Sequence, residues 1–307
     1  MKIAKVSFSG IRGVADATFD LVNPSTGEPH SLVVVTGPAA GGKTRLLEAL
    51  IVAKEIMASY GGVVPTAGWV RDDEAAKISI DWHLDPLERT FAGHEAPIAT
   101  TEALFLGDGT RAEIDEGVQT LLERYEHEHD KGKIEYFPVN RCIPRYGGAH
   151  GLEAIHQRLL RPTSDERKYA FVPRFLESLR RDPGRAEYFG ALLGYLSSTV
   201  RLATETSPDR PFAVLTSTDG HLAETHELSS SEVEAVIFAA TATLLGLSKS
   251  VVLVDRPELH AQPENVSKLV QALCSLGRDN QVIVATGSHE VVASVDPSQV
   301  VRVGRPR

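Results

Sequence analysis

The chain has 307 residues, 24% of them charged, and a formal net charge of −9, which excludes adhesion to nucleic acid or acidic membrane through overall charge and leaves only a local basic face open. Its length is near the limit at which single cores divide, with ample apolar material for a large one. Two distant cysteines, Cys142 and Cys274, no apolar leader in MKIAKVSFSG and no run approaching about 18 apolar residues give the expectation of a cytoplasmic protein of a reducing compartment, with no membrane contact.

In chain order, KIAKVSFSGIRG and ATFDLV alternate with the two-residue period of strands, and HSLVVVTG ends in an apolar run suited to a buried central strand. A helix over 44–59 follows at once. Leu46, Leu47, Leu50, Ala53, Ile56 and Met57 fall at helical spacing, and Gly61 and Gly62 are placed to stop it. KISIDWHL alternates again, ALFLGDGTRAEI carries Asp108 and Gly109 between two extended runs as hairpins do, and KIEYFPVNR reads as a further strand. From 151 to about 201 the pattern turns helical: LEAIHQRLL, YAFVPRFLESLRR and AEYFGALLGYLSSTV are separated by Pro162 and by the DPG of 182–184. A second hairpin, FAVLTSTDGHLAETHEL, turns at Asp219 and Gly220 and leads into a helix over 231–245. Two apolar strands, SVVLVD and NQVIVAT, close the chain with a helix over 264–276 between them. The expected organisation is an N-terminal core with an antiparallel β lobe over 1–150, an inserted helical lobe over 151–205, and the rest of the core over 206–307.

The chemistry concentrates in GPAAGGKT. Gly37, Pro38, Ala39, Ala40, Gly41, Gly42, Lys43 and Thr44 fit the phosphate-loop pattern G-x-x-x-x-G-K-[ST] completely, in the strand-to-helix setting the pattern requires. Glycines let the backbone bend so that its amides face phosphate oxygens, and the following helix presents its N-terminal partial charge to the same anion. Lys43 would reach the β- and γ-phosphates of ATP, and the Thr44 hydroxyl would ligate Mg2+. Asp255, ending an apolar strand, can hold the same metal shell; the alternative is an aspartate that only caps a loop. Roughly two hundred residues part Lys43 from Asp255, which favours a nucleotide-binding domain interrupted by an insertion.

With LSSSE at 228–232 standing a helix's length before VVLVDRPELH, the chain resembles ABC-class P-loop ATPases. Over nearly its full length it is similar to their RecF, SMC and OLD-like branch and the AAA-type ATPases grouped with it. The N-terminal element 8–13 (F-x-G-I-R-G), the hairpin before the signature and the stretch similar to DEPELHLHP carry that likeness. The resemblance implies an α/β P-loop fold of ABC-ATPase type, with a mixed central sheet, an antiparallel β lobe and a helical insertion. It also implies ATP and Mg2+ as cofactors and a head-to-tail homodimer or higher oligomer. There the signature helix of one subunit, with Ser229 at its start, caps the γ-phosphate on the phosphate loop of the other. Ser229 and Glu232 fit the S-x-x-E capping box, so this helix is well started on sequence alone.

The chain departs from that branch at three places. Members usually carry Asp-Glu at the end of the strand, the glutamate positioning the attacking water; here Asp255 is followed by Arg256, which stays charged at any relevant pH and accepts no proton. Gly287 stands where the switch histidine normally follows the threonine, with His289 two residues on, and Ser231 stands where the signature usually has glycine. Binding is therefore expected to persist while turnover is slow or is rearranged onto Glu258 and His289; Arg256 alternatively serves only as a charge partner for Glu258. Lys43, Glu258 and His289 are the candidate catalytic residues.

Other features are plainer. His127 and His129 lie in ERYEHEHDKGK, read as a solvated helix end rather than a metal site. Arg161, Arg167, Lys168, Arg174, Arg180, Arg181 and Arg185 decorate the helical stretch, and either a nucleic-acid backbone or plain solvent suits them. YFPVNR at 136–141 is similar to a segment near the nucleotide in this branch, without a role that sequence assigns. The chain has neither the long coiled coil of SMC proteins nor room for the nuclease domain of OLD proteins, so an ATPase head is expected. By analogy it acts in DNA maintenance or anti-phage defence with a separate effector or nuclease. The rival assignments are a nucleotide-gated scaffold without useful hydrolysis, and an AAA+ ATPase for which VIVATGS would be a sensor strand. No N-K-x-D element supports a GTPase.

Overall fold

In the computed structural model of the chain, residues 1–62, 64–71, 75–106, 109–144, 152–203, 209 and 214–304 are described. The alternating N-terminal segments form an antiparallel sheet in the order β2-β1-β4-β5-β6. Its strands are β1 (Lys2–Ser9), β2 (Ala17–Asp20), β4 (Ala76–His83), β5 (Ile98–Leu106) and β6 (Gly109–Glu113). Period-two burial holds along β4: Ala76, Ile78, Ile80 and Trp82 point inward.

The apolar runs form the second sheet. It is wholly parallel, in the order β13-β3-β12-β11-β7, from β3 (Leu32–Thr36), β7 (Ile134–Phe137), β11 (Val251–Asp255), β12 (Gln281–Ala285) and β13 (Val300–Arg302). Every residue of β3, β7, β11 and β12 is buried because both faces are covered. Val33 and Val35 of β3, with Val251 and Leu253 of β11, face one core; Leu32, Val34, Val252 and Val254 face the other.

The first core lies between the two sheets and holds α1 (Lys43–Met57), whose Leu46, Leu47, Ala49, Leu50, Ile51, Val52 and Ala53 are all buried. A helix apolar on every side is one that is packed on every side. On the far face of the parallel sheet pack α5 (Val172–Leu179), α6 (Pro183–Leu196), α7 (Ser230–Leu245), α8 (Pro263–Leu273) and the short α9 (His289–Ala293). The remaining helices are α2 (Pro86–Ala92), α3 (Glu116–Leu122) and α4 (Ala154–Arg158). A small antiparallel sheet, β10-β9-β8, joins β8 (Val200–Leu202), β9 (Leu215–Ser217) and β10 (Leu222–Ala223). No helix among the described residues is long and apolar enough to cross a membrane.

Several expectations shift. Helix α1 ends at Met57, with Ala58 already extended, so the chain leaves the helix before Gly61 and Gly62. Val200–Leu202, expected to continue a helix, is strand β8, because β9 offers it a backbone partner. Asp108 and the start of the second hairpin at Phe212 lie outside the described residues. His127 and His129 follow α3 rather than end it. The His127 ring meets Tyr125 edge-on at 5.9 Å, and burial holds its imidazole down to about 4, hence neutral near pH 7. Among the described residues no histidine, cysteine and carboxylate cluster could hold a metal.

Arg161 and Lys168, read as solvated, are fully buried around Glu135 of β7. Arg161 Nη1 lies 3.6 Å and Lys168 Nζ 3.5 Å from Glu135 Oε1. Lys168 also donates to the carbonyls of Tyr136, Arg161 and Thr163, while Arg161 Nη2 donates to Lys168 O at 2.5 Å. Burial pulls the Lys168 amine down to about 7 and pushes the Glu135 carboxyl up, with the two cations opposing the latter. Removing the anion leaves the Arg161 guanidinium uncompensated in a dry core and drives the Lys168 amine further down. Glu135→Ala is therefore expected to cost about 3–5 kcal/mol in urea unfolding. Arg174→Ala, at an exposed site of α5, should stay within about 0.5 kcal/mol.

Candidate functional site

The phosphate-loop sequence forms the bend its glycines foretell. Gly42, at φ +88°, caps α1, and a β-carbon there would stand 2.2 Å from the carbonyl oxygen of Gly13. Only glycine lets the loop pass this close to the GIRG turn, which ties the N-terminal element to the loop. Ala40 is also left-handed, at φ +58°, and the Gly41 amide donates to Pro38 O at 3.0 Å, which tightens the bend. Lys43 Nζ donates to the carbonyls of Gly37 and Pro38, at 3.0 Å each, and so lies folded against the loop.

Parallel pairing of β11 with β12, and of β12 with β3, brings the C-terminal end of β11 beside the loop across one intervening strand. Thr44 and Asp255, 211 residues apart, meet there: Thr44 Oγ1 donates to Asp255 Oδ1 at 3.1 Å. The carboxylate is fully buried, and its Oδ2 has no hydrogen-bond partner among the described residues. Burial pushes its carboxyl above the ordinary aspartate range, against the pull of the Thr44 hydroxyl and the Arg141 guanidinium. A hydroxyl and a carboxylate with a spare buried oxygen form a donor set that suits a hard divalent cation such as Mg2+.

A cavity of about 1020 Å³ opens over the loop. It is lined by Thr36 through Arg45, by Arg302 beside Thr36, and by Arg256, Glu258, Gly287 and His289. Lys43, Arg256 and Arg302 line it with the single carboxylate Glu258, in a chain of net charge −9, while the Arg45 guanidinium is taken up by the carbonyls of Arg12 and Gly68. Such a basin attracts an anion. Glu258 Oε1 accepts the Gly287 amide at 2.9 Å, and its Oε2 is buried without a hydrogen-bond partner among the described residues. The structure thus gathers Gly37 through Thr44, Asp255, Glu258 and His289 in one place. Ser229 is elsewhere: it stands exposed at the start of α7 and lines no part of this cavity. Its capping box is present, with Glu232 Oε2 accepting both the Ser229 amide at 2.9 Å and its hydroxyl at 2.8 Å.

Two arginines escaped the sequence reading. Arg302 reaches the cavity because β13 pairs with β3 at Arg302↔Thr36, and the only hint was the brief alternation of VVRV. Arg141, in YFPVNR, is buried: Nε and Nη2 donate to Glu234 Oε1 of α7 at 3.0 and 2.6 Å, Nη1 to Pro138 O and Asp255 O at 2.7 and 2.6 Å, and Nη2 to Arg256 O at 3.0 Å. One guanidinium therefore fastens the turn after β11 to the helix that Ser229 starts.

No family model matches the sequence, and no curated protein matches it. Solved structures do match. A crystal structure of the SmcHead bound to the C-winged helix domain of ScpA has a TM-score of 0.63 at 14% identity, covering 99% of this chain and 94% of that one. An Smc head domain with an extended coiled coil, from Pyrococcus furiosus and bound to the C-terminal domain of ScpA, scores 0.59 at 13% identity with the same coverage. The SMC head domain from Thermotoga maritima scores 0.51 at 12% identity, covering 96% and 93%. The shared property is the fold: this chain has the mixed α/β architecture of SMC heads, which is of the ABC-ATPase type.

The Arg141 clamp makes a prediction of its own. Truncating it leaves the buried Glu234 carboxylate and the 255–256 carbonyls without their donor, so Arg141→Ala should lower stability by about 3–5 kcal/mol in denaturant unfolding. Arg141→Lys should recover only part, since an ammonium cannot span the same fork of acceptors.

Proposed function

We propose that this chain is an ATP-binding, ABC-class ATPase head that dimerises on ATP, with residues 1–150 and 206–307 forming one nucleotide-binding core around the helical segment 151–205. The observation that carries the reading is the contact of buried Asp255 with Thr44 of a complete phosphate loop, whose residues line a basic cavity. Loop amides and the α1 N-terminus would cradle the phosphates, and Lys43 would leave the Gly37 and Pro38 carbonyls to reach the β- and γ-phosphate oxygens. Thr44 and Asp255 would hold Mg2+, which would supply charge neutralisation at the phosphates. Glu258 takes the part of proton acceptor for the attacking water, since it is the carboxylate of the cavity and one of its oxygens is uncommitted. His289 faces the same space and would contact the terminal phosphate or that water. Ser229 belongs to a partner subunit's nucleotide, consistent with its exposure away from this chain's own cavity.

Two of the solved SMC heads of this fold are complexes with ScpA. A separate effector or nuclease is the corresponding partner for this chain, in DNA maintenance or anti-phage defence; this step rests on fold analogy.

One observation favours a second reading. Arg256 occupies the position of the usual water-positioning glutamate, so the chain serves as a nucleotide-gated scaffold that holds ATP and turns over little. Single-turnover phosphate release with ATP and Mg2+, with oligomeric state followed in parallel, separates the two. For the ATPase, Lys43→Ala abolishes release, and Glu258→Gln slows it about a hundred- to ten-thousand-fold while leaving ATP-dependent dimers intact. Negligible release from the parent, with dimers lost only in Lys43→Ala, selects the scaffold. Absence of both release and nucleotide-dependent assembly overturns both readings.

A further inference from the structure

We propose that Arg256 reads the terminal phosphate of the bound nucleotide, so that the residue standing where a general base is expected sets triphosphate over diphosphate preference instead. The inference rests on the nucleotide reading above and adds to it a role for a side chain that reading leaves idle.

Position comes first. Lys43 and Thr44, which would meet the outer phosphates and their cation, lie beside Asp255, so the wall beyond Asp255 would be the terminal-phosphate end of the cavity. Arg256 follows Asp255 directly and lines that wall with Glu258, Gly287 and His289. Among the described residues its guanidinium makes no hydrogen bond. Its nearest anion is Glu258 Oε1, 4.0 Å from Nε, an oxygen already accepting the Gly287 amide, and the side chain is 51% exposed. A cation so loosely paired, facing Lys43 and Arg302 across a basic cavity, lacks the counter-charge that a terminal phosphate brings.

Backbone conformation is the second observation. Arg256 is left-handed, at φ +49° and ψ +63°, a state that a β-carbon disfavours and glycine adopts freely. It is held there by its own amide donating to Ala285 O at 2.8 Å and by Arg141 donating to its carbonyl. A strained residue kept by two external clamps, with a long cation in place of the glycine the backbone prefers, suggests that the side chain is retained for what it touches. The guanidinium then exchanges a weak pairing with Glu258 for the terminal phosphate when a triphosphate enters, which frees that carboxylate.

The test is calorimetric titration of the full 307-residue chain with Mg2+ and either ADP or a non-hydrolysable ATP analogue. Arg256→Gly removes the charge and relieves the backbone. It is expected to melt no lower than the parent, to bind the triphosphate analogue roughly tenfold more weakly, about one charge-assisted hydrogen bond, and to bind ADP within about twofold of the parent. Arg256→Gln, which keeps the stem without the charge, must show the same selective loss, and Arg256→Lys must restore most of the preference. Unchanged affinities, or equal losses for both nucleotides, overturn the inference while leaving nucleotide binding intact. If the parent binds neither nucleotide, or Lys43→Ala binds both as well as the parent, the nucleotide reading itself fails and this inference falls with it.

Discussion

The hydrogen bond from Thr44 to Asp255 is the constraint around which the molecule is arranged. A carboxylate with no solvent exposure is costly, and it persists here because β11 delivers it to the hydroxyl at the start of α1. For that to happen β3, β12 and β11 must lie parallel and in register, so that their C-terminal ends finish at one level. Parallel pairing needs long crossovers, and helices on both faces supply them, α1 after β3 on one and α5 through α8 on the other. The cavity over the loop thus lies at the C-terminal end of a sheet covered on both faces, where strand ends and helix starts leave polar groups facing outward.

Arg141 extends that arrangement. Its donors go to Glu234 on α7 and to the carbonyls of Pro138, Asp255 and Arg256, joining three segments distant in sequence. The helix Ser229 begins is thereby hydrogen-bonded, through one side chain, to the turn that carries Arg256. Of the residues other than glycine that adopt positive φ among those described, Ala40 and Arg256 both border the cavity. The other two, Lys249 and Asp279, lie away from it, so the bearing on a ligand comes from where Ala40 and Arg256 stand.

Much of this was legible in the chain itself. Period two in KISIDWHL, unbroken apolar runs in LVVVT and VVLVD, and the glycines of GPAAGGKT carry local information, because strand alternation, two-sided burial and tight bends are each satisfied by neighbouring residues. The S-x-x-E box at Ser229 is likewise a contact within one turn, and it forms as read. Arg161 and Lys168 were misread for the complementary reason. Helical spacing marks them as polar positions, yet their partner Glu135 lies on β7, and nothing near it in sequence signals a buried anion.

What the sequence by itself determined is the set of local elements and the phosphate loop, since propensity, period and bend act over a few residues. Tertiary structure alone decided that Arg302 lines the cavity over that loop and that Arg141 braces Asp255 and Arg256 from inside. Those relations depend on strand order and on which end of each strand meets which helix. Such choices are fixed by burying two faces of one sheet together, a condition no short stretch of sequence can express.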